Sequence, residues 1–220
     1  MSTSSDLPAP AAPATETESR RGSVSRETSE TRVEAELSLD PPAGGLQRQI
    51  EAPNGFFAHM LDALTRHAGF GCRIVADGDT HVDLHHTVED VGIALGEALR
   101  QALGERAGIA RFGTAYAPLD EALARAVVDL SGRGFLVLEM EDALRRSWVT
   151  RDFPMTLVED FLHAFADRGR LTLHVDVLRA RNGHHAAEAA FKAVALALRQ
   201  AVARRPGELG VPSTKGTLSR

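Results

Sequence analysis

The chain has 220 residues, enough for one substantial domain or two small halves around a shared core. It is 43% hydrophobic and 25% charged, and no apolar run approaches the roughly 20 residues of a membrane-spanning helix. A single cysteine, Cys72, leaves no disulfide framework or thiolate zinc cluster, and a net charge of -5 with 5% aromatic residues argues against nucleic acid as the partner.

Along the chain, residues 1–20 are rich in Ser, Thr, Pro and Ala and cannot bury enough apolar surface to offset their ordering entropy, so a disordered tail is expected. They contain no apolar h-region of a secretory signal, and Asp6, Glu16 and Glu18 argue against a transit peptide. A cytoplasmic protein is expected. TRVEAELSLD alternates apolar and polar residues as a half-buried strand does, and Pro41, Pro42, Gly44 and Gly45 then form a loop. GFFAHMLDALTRHAGF has the apolar spacing of a helix that ends at Gly69. CRIVADGDTHVDL reads as two short strands turning at Gly78 and Asp79, and HHTVEDVGIALGEALRQALG as a second helix stopped by Gly104. AVVDLSGRGFLVLEM reads as a hairpin turning between Ser131 and Gly134. MTLVEDFLHAFADRG is a third helix, LTLHVDVLRA a strand, and HHAAEAAFKAVALALRQAVARR a fourth helix stopped at Pro206 and Gly207.

These elements repeat. His85 precedes Glu89 by four residues and Ala98 by thirteen, and His184 precedes Glu188 and Ala197 by the same intervals. Both parts read strands, helix, strands, helix. The expectation is a duplicated α+β unit with two sheets covered by helices, divided into residues 21–107 and 108–205, with a polar C-terminal stretch at 206–220.

Residues three and four apart share a helix face. His85, His86 and Glu89 therefore converge at one helix start, and His184, His185 and Glu188 at another. Imidazole with carboxylate and no thiolate suits Mn²⁺, Fe²⁺, Co²⁺ or Zn²⁺. The matching register of the two motifs points to six ligands for a pair of metals. His59 lies 26 residues before His85, and the corresponding place in the second half falls near Asp160, a hard oxygen donor. His163 is one turn further on, while His67, His81 and His174 have no matched partner.

The sequence resembles the imidazoleglycerol-phosphate dehydratase family of histidine biosynthesis. The resemblance rests on GFFAHMLD (55–62), GD-x-HVD-x-HHTVED-x-GIALG (78–96), GIARFGTAYAPLDEAL (108–123), DLSGR (129–133), LVEDF (157–161), TLHV (172–175), N-x-HH-x-x-EA-x-FKA (182–193) and PSTKG (212–216). It implies duplicated ferredoxin-like half-domains of the ribosomal protein S5 domain 2 type, each a four-stranded sheet packed with helices. It also implies two Mn²⁺ ions per site and a 24-subunit shell with active sites between subunits.

Carried over by position, the family's metal ligands fall on His59, His85, His86, Glu89, Asp160, His184, His185 and Glu188. Its substrate-contacting carboxylate falls on Glu30, the first choice for acid/base work. Its phosphate-binding positions fall on Arg111, Arg133, Ser213 and Lys215, with Thr214 as a further donor. The C-terminal stretch would then order over bound substrate. Three positions depart from the family: Asp160 for His, Ala58 for Asp, and Gly134 for Pro, which would loosen the hairpin carrying Arg133. The implied reaction is loss of water from imidazole glycerol phosphate to give imidazole acetol phosphate. A di-metal hydrolase of another phosphorylated substrate and a weakened paralogue with an assembly role are the alternatives.

Overall fold

The structure is a computed structural model, and it describes residues 19–40, 47–207, 210–214 and 217–218. Most of the N-terminal tail, the loop at Pro41 to Gly45 and Lys215 lie outside the described residues.

The first half runs β1 (Arg21–Glu27), β2 (Thr31–Ser38), β3 (Arg48–Glu51), α1 (Gly55–Ala68), β4 (Gly71–Gly78) and α2 (His85–Leu103). The second runs β5 (Phe112–Leu119), β6 (Ala122–Asp129), β7 (Phe135–Glu139), α3 (Asp142–Arg145), β8 (Trp148–Thr150), β9 (Phe153–Pro154), α4 (Thr156–Gly169), β10 (Thr172–Arg179) and α5 (Gly183–Ala201). The strand orders are β1-β2-β4-β3 and β5-β6-β10-β7, so one topology occurs twice. In each sheet the last two strands are parallel, and a helix connects them: α1 joins β3 to β4, and α4 joins β7 to β10. The small β8–β9 ribbon is an insertion in the second half.

Local sequence explains the elements. In β2 and β6 the apolar residues alternate inward, with Val33, Ala35 and Leu37 buried on one sheet and Ala124, Ala126 and Val128 on the other. The α1 helix starts at Asn54, whose side chain accepts a hydrogen bond from the Phe57 amide at 2.9 Å, and it ends at Gly69 in a left-handed conformation. The α5 helix starts at Asn182, which accepts from the His184 and His185 amides. The four long helices fill the middle: α2 packs on β1 and β2 and against α4, while α5 packs on β5 and β6 and against α1. Phe57, Phe161, Phe165 and Phe191 are buried at their meeting point, with the Phe161 and Phe191 rings 5.2 Å apart.

Three local expectations are corrected. After β4 the chain turns and forms no second strand, because His81 and Val82 face solvent and lead directly into α2. Second, β6 and β7 form no hairpin; β10 lies between them, antiparallel to β6 and parallel to β7. A Ser-Gly-rich link looks the same in sequence whether it closes a hairpin or steps over one strand position. Gly134 therefore loosens no hairpin. A Cβ there would stand 2.5 Å from the Asp167 Cα, so the glycine admits the end of α4. Third, α5 ends at Ala201, ahead of Pro206.

Candidate metal centre and its surroundings

All four long helices begin at one edge of the molecule, following the C-terminal ends of the parallel strands or, for α4, the inserted ribbon. Of the predicted ligands, His59, His184 and Glu188 come together there as one group and His85 and Asp160 as a pair, while no hydrogen bond or ion pair joins His86, Glu89 or His185 to either among the described residues. On α1 and α5, His59 Nε2 lies 3.5 Å and His184 Nε2 3.3 Å from the same Glu188 oxygen, Oε2. The three ligand atoms lie within 4.8 Å of one another. The other Glu188 oxygen is held by Lys192 Nζ at 2.6 Å, one turn along α5. Burial pushes the Glu188 carboxyl up, but Lys192 and His59 outweigh it and hold it below the ordinary range, so it is ionised. Two imidazole nitrogens and one carboxylate oxygen fit a borderline divalent cation.

The second cluster is built from α2 and α4. Asp160 Oδ2 lies 3.1 Å from His85 Nδ1. Glu89 lies one turn along α2 and is half-buried. A cavity of about 610 Å³ opens beside this pair and reaches Asn54, Trp148 and Asp152. Asp160 thus brings its oxygen to the cluster from the helix that corresponds to the one carrying His59. Ala58 is half-buried beside His59, and His163 is exposed.

The second histidine of each pair meets a carboxylate that sequence reading had not singled out. His86 Nδ1 lies 3.1 Å from Asp79 and 3.7 Å from Glu30, and this raises its affinity for a proton, with the Asp79 hydrogen bond the main cause. His185 Nδ1 lies 2.7 Å from Glu121, which raises His185 in turn. The same bond, joined by backbone amides, holds the Glu121 carboxyl down to about 2. Glu121 occupies the β5–β6 turn as Glu30 occupies the β1–β2 turn, so the internal repeat was the signal that could have found it.

The Glu30 turn is braced. The Glu30 and Thr31 amides donate to Thr28 Oγ1 at 3.1 and 3.0 Å. Thr31 Oγ1 donates to Asp90 Oδ2, and Arg26 Nε lies 2.9 Å from Asp90 Oδ1. Asp90 is buried and belongs to α2, so the brace locks the turn to the helix carrying His85 and His86. The Glu30 side chain itself is half exposed.

The predicted phosphate residues lie elsewhere. Arg111 precedes β5, and its guanidinium pairs with Asp129 at 2.7 and 3.1 Å and donates to the Pro212 carbonyl at 2.8 Å. Ser213 adjoins Pro212, Thr214 is exposed, and Arg133 is an exposed residue before β7. This group sits at the start of β5, whereas Glu121 and His185 sit beyond its end. Eight strand residues put about 25 Å between them. A single chain does not bring the two groups together.

A model of the family described as imidazoleglycerol-phosphate dehydratase matches residues 52–198. Imidazoleglycerol-phosphate dehydratases from Lacticaseibacillus casei (strain BL23) and Anaeromyxobacter dehalogenans (strain 2CP-C) are 49% and 50% identical, each covering 90% of this chain; the matches span 100% and 92% of those proteins. The crystal structure of the Staphylococcus aureus enzyme superposes with a TM-score of 0.73 at 35% identity, covering 84% of this chain and 99% of that one. The Pyrococcus furiosus enzyme, in complex with (S)-C348, superposes with a TM-score of 0.75 at 34% identity, covering 89% and 100%. With the duplicated fold, the paired histidine motifs and these relatives in agreement, the chain belongs to the imidazoleglycerol-phosphate dehydratase family.

Proposed function

We propose that this protein is a hydro-lyase that converts D-erythro-imidazole glycerol phosphate to imidazole acetol phosphate in histidine biosynthesis, with two Mn²⁺ ions held by its histidine–carboxylate clusters. The observation that carries the reading is the convergence of His59, His184 and Glu188 on one point, with His85 and Asp160 meeting in the related position of the repeat. His86, Glu89 and His185 complete the donor set. Bound divalent cations supply Lewis acidity and a template for the substrate's nitrogen heterocycle.

The chain's own residues then divide the work. In the net reaction a proton leaves one carbon of the glycerol chain, hydroxide leaves its neighbour, and the resulting enol becomes a ketone. Glu30 is the group for proton transfer, because its turn is braced while its carboxylate stays open to a substrate. Lys192 keeps Glu188 ionised as a ligand and unsuited to being a base. Asp160 keeps an oxygen donor where the family has imidazole, which supports a working variant over a weakened paralogue.

Arg111, Arg133, Ser213, Thr214 and Lys215 would hold the phosphate. A gap of about 25 Å within one chain is far longer than this substrate, so the reading requires a neighbouring copy to supply the phosphate end. This supports a homo-oligomer, the 24-subunit shell, with sites between subunits. No helix of the described residues is long and apolar enough to cross a membrane, and the reading places the enzyme in the cytoplasm.

The test is direct. Purified protein supplied with Mn²⁺ and imidazole glycerol phosphate forms imidazole acetol phosphate, and light scattering gives the mass of a large closed assembly. Release of inorganic phosphate in place of that product would favour the di-metal hydrolase. An inert protein that binds Mn²⁺ and assembles would favour the assembly role.

A further inference from the structure

We infer that Asp79 and Glu121 are the orienting carboxylates of the two histidine pairs: each binds the Nδ1–H of the second histidine and so presents its Nε2 to a divalent cation. The inference rests on the reading of His86 and His185 as ligands. A metal-binding imidazole needs one nitrogen free of its proton, and a partner on the other nitrogen sets both tautomer and ring orientation. The structure supplies that partner twice, from different places. Asp79 follows β4 and has both oxygens within 3.3 Å of His86 Nδ1. Glu121 lies in the β5–β6 turn and has one oxygen 2.7 Å from His185 Nδ1. Its other oxygen accepts from the Arg181 and Asn182 amides at 3.1 and 3.0 Å, so it is fixed at both ends. The opposite nitrogen, His185 Nε2, lies 3.8 Å from the exposed Asp120.

The difference between the halves gives Glu30 its role. Glu30 and Glu121 hold equivalent turns, yet Glu30 stands 3.7 Å from His86 and Glu121 binds His185. At the place after β10 that corresponds to Asp79 the chain has Ala180. With no carboxylate there, the turn residue orients the histidine; with Asp79 present, the turn residue is released for proton transfer.

The experiment measures Mn²⁺ binding by the intact, metal-stripped protein, using electron paramagnetic resonance of free Mn²⁺ and calorimetry. Asp79→Asn and Glu121→Gln should each weaken binding at one class of site by about 10–100-fold. Circular dichroism before loading and light scattering at saturating Mn²⁺ should match the wild type. Glu30→Gln should bind Mn²⁺ as the wild type does. Affinities of Asp79→Asn and Glu121→Gln within about twofold of wild type would overturn the inference, as would a loss in Glu30→Gln equal to that in Asp79→Asn. The two variants lie in different halves, so if one misfolds the other decides. Wild-type protein that takes up no Mn²⁺ would overturn the ligand reading itself, an outcome distinct from an intact site indifferent to Asp79 and Glu121.

Discussion

The two halves share a frame down to single hydrogen bonds, yet differ where chemistry is done. Gly22 in β1 and Gly113 in β5 each lie against a helix carbonyl: an added Cβ would stand 2.0 Å from Ala98 O in one case and 1.9 Å from Ala197 O in the other. The next amide in each strand donates to a glutamine side chain, Ser23 to Gln101 and Thr114 to Gln200. Beside the site the likeness stops. In the first half Arg26, Thr31 and Asp90 tie the β1–β2 turn to α2 by polar bonds. At the equivalent places of the second half stand Ala117, Ala122 and Ala189, all buried. The second-half turn needs no such brace, because Glu121 is held by His185 and two backbone amides. Duplication thus preserved the packing frame and left one turn with an open carboxylate braced through α2 and the other with a carboxylate bound to a histidine.

That contrast can be attacked at several points. Glu30→Gln should give the largest effect, lowering kcat by about 10²–10⁴-fold with Mn²⁺ binding intact; full turnover would show that the first-half turn is no different in kind from the second. His184→Ala should weaken Mn²⁺ binding beyond the about 10–100-fold loss of an outer partner, measured by metal analysis per subunit after dialysis. Gly22→Ala and Gly113→Ala should each cost about 1–3 kcal/mol or more by urea titration, because each pushes a methyl group into a helix backbone. Unequal losses would mean that the shared frame is less alike than its hydrogen bonds. Asp90→Ala strands Arg26 and should cost about 1–3 kcal/mol. The triple replacement of Arg26, Thr31 and Asp90 by alanine copies the second half, and should recover most of that stability while leaving kcat depressed.

The smallest effect concerns the seam between the halves. Asp40 pairs with Arg20 and Arg204, and Arg20 also donates to the Val202 carbonyl, joining the start of one half to the end of the other. These guanidinium bonds hold the Asp40 carboxyl at about 2, below its ordinary value. The contribution is therefore present above about pH 4 and fades as pH falls towards 2. Asp40→Asn should flatten that part of the thermal stability curve, and an unchanged curve would remove Asp40 from the seam.

Much of the molecule was legible beforehand. Helical spacing around Met60, Leu61 and Leu64, the alternation of Val33, Ala35 and Leu37, and the stop at Gly69 all depend on neighbours close in the chain, so their periodicity exposed them. The two His-His motifs were legible for the same reason: one turn of helix sets which residues share a face. The internal repeat also led from His59 to Asp160. Hidden from such reading were the pairings across the chain. Nothing local to Asp90 announces Thr31, which lies 59 positions away. Nothing local to His185 announces Glu121, 64 positions away.

The sequence by itself therefore determined the four long helices, the duplication and the paired His-His motifs, because each is written in intervals of a few residues. Only the tertiary structure decided that β10 enters between β6 and β7, and that Asp79 and Glu121 hold the second histidines. It also placed the Arg111 group at the far end of β5 from His185. Those outcomes follow from which strands pair and which helix faces meet; the repeat could mark Glu121 as the counterpart of Glu30, but the contact with His185 joins residues far apart in the chain.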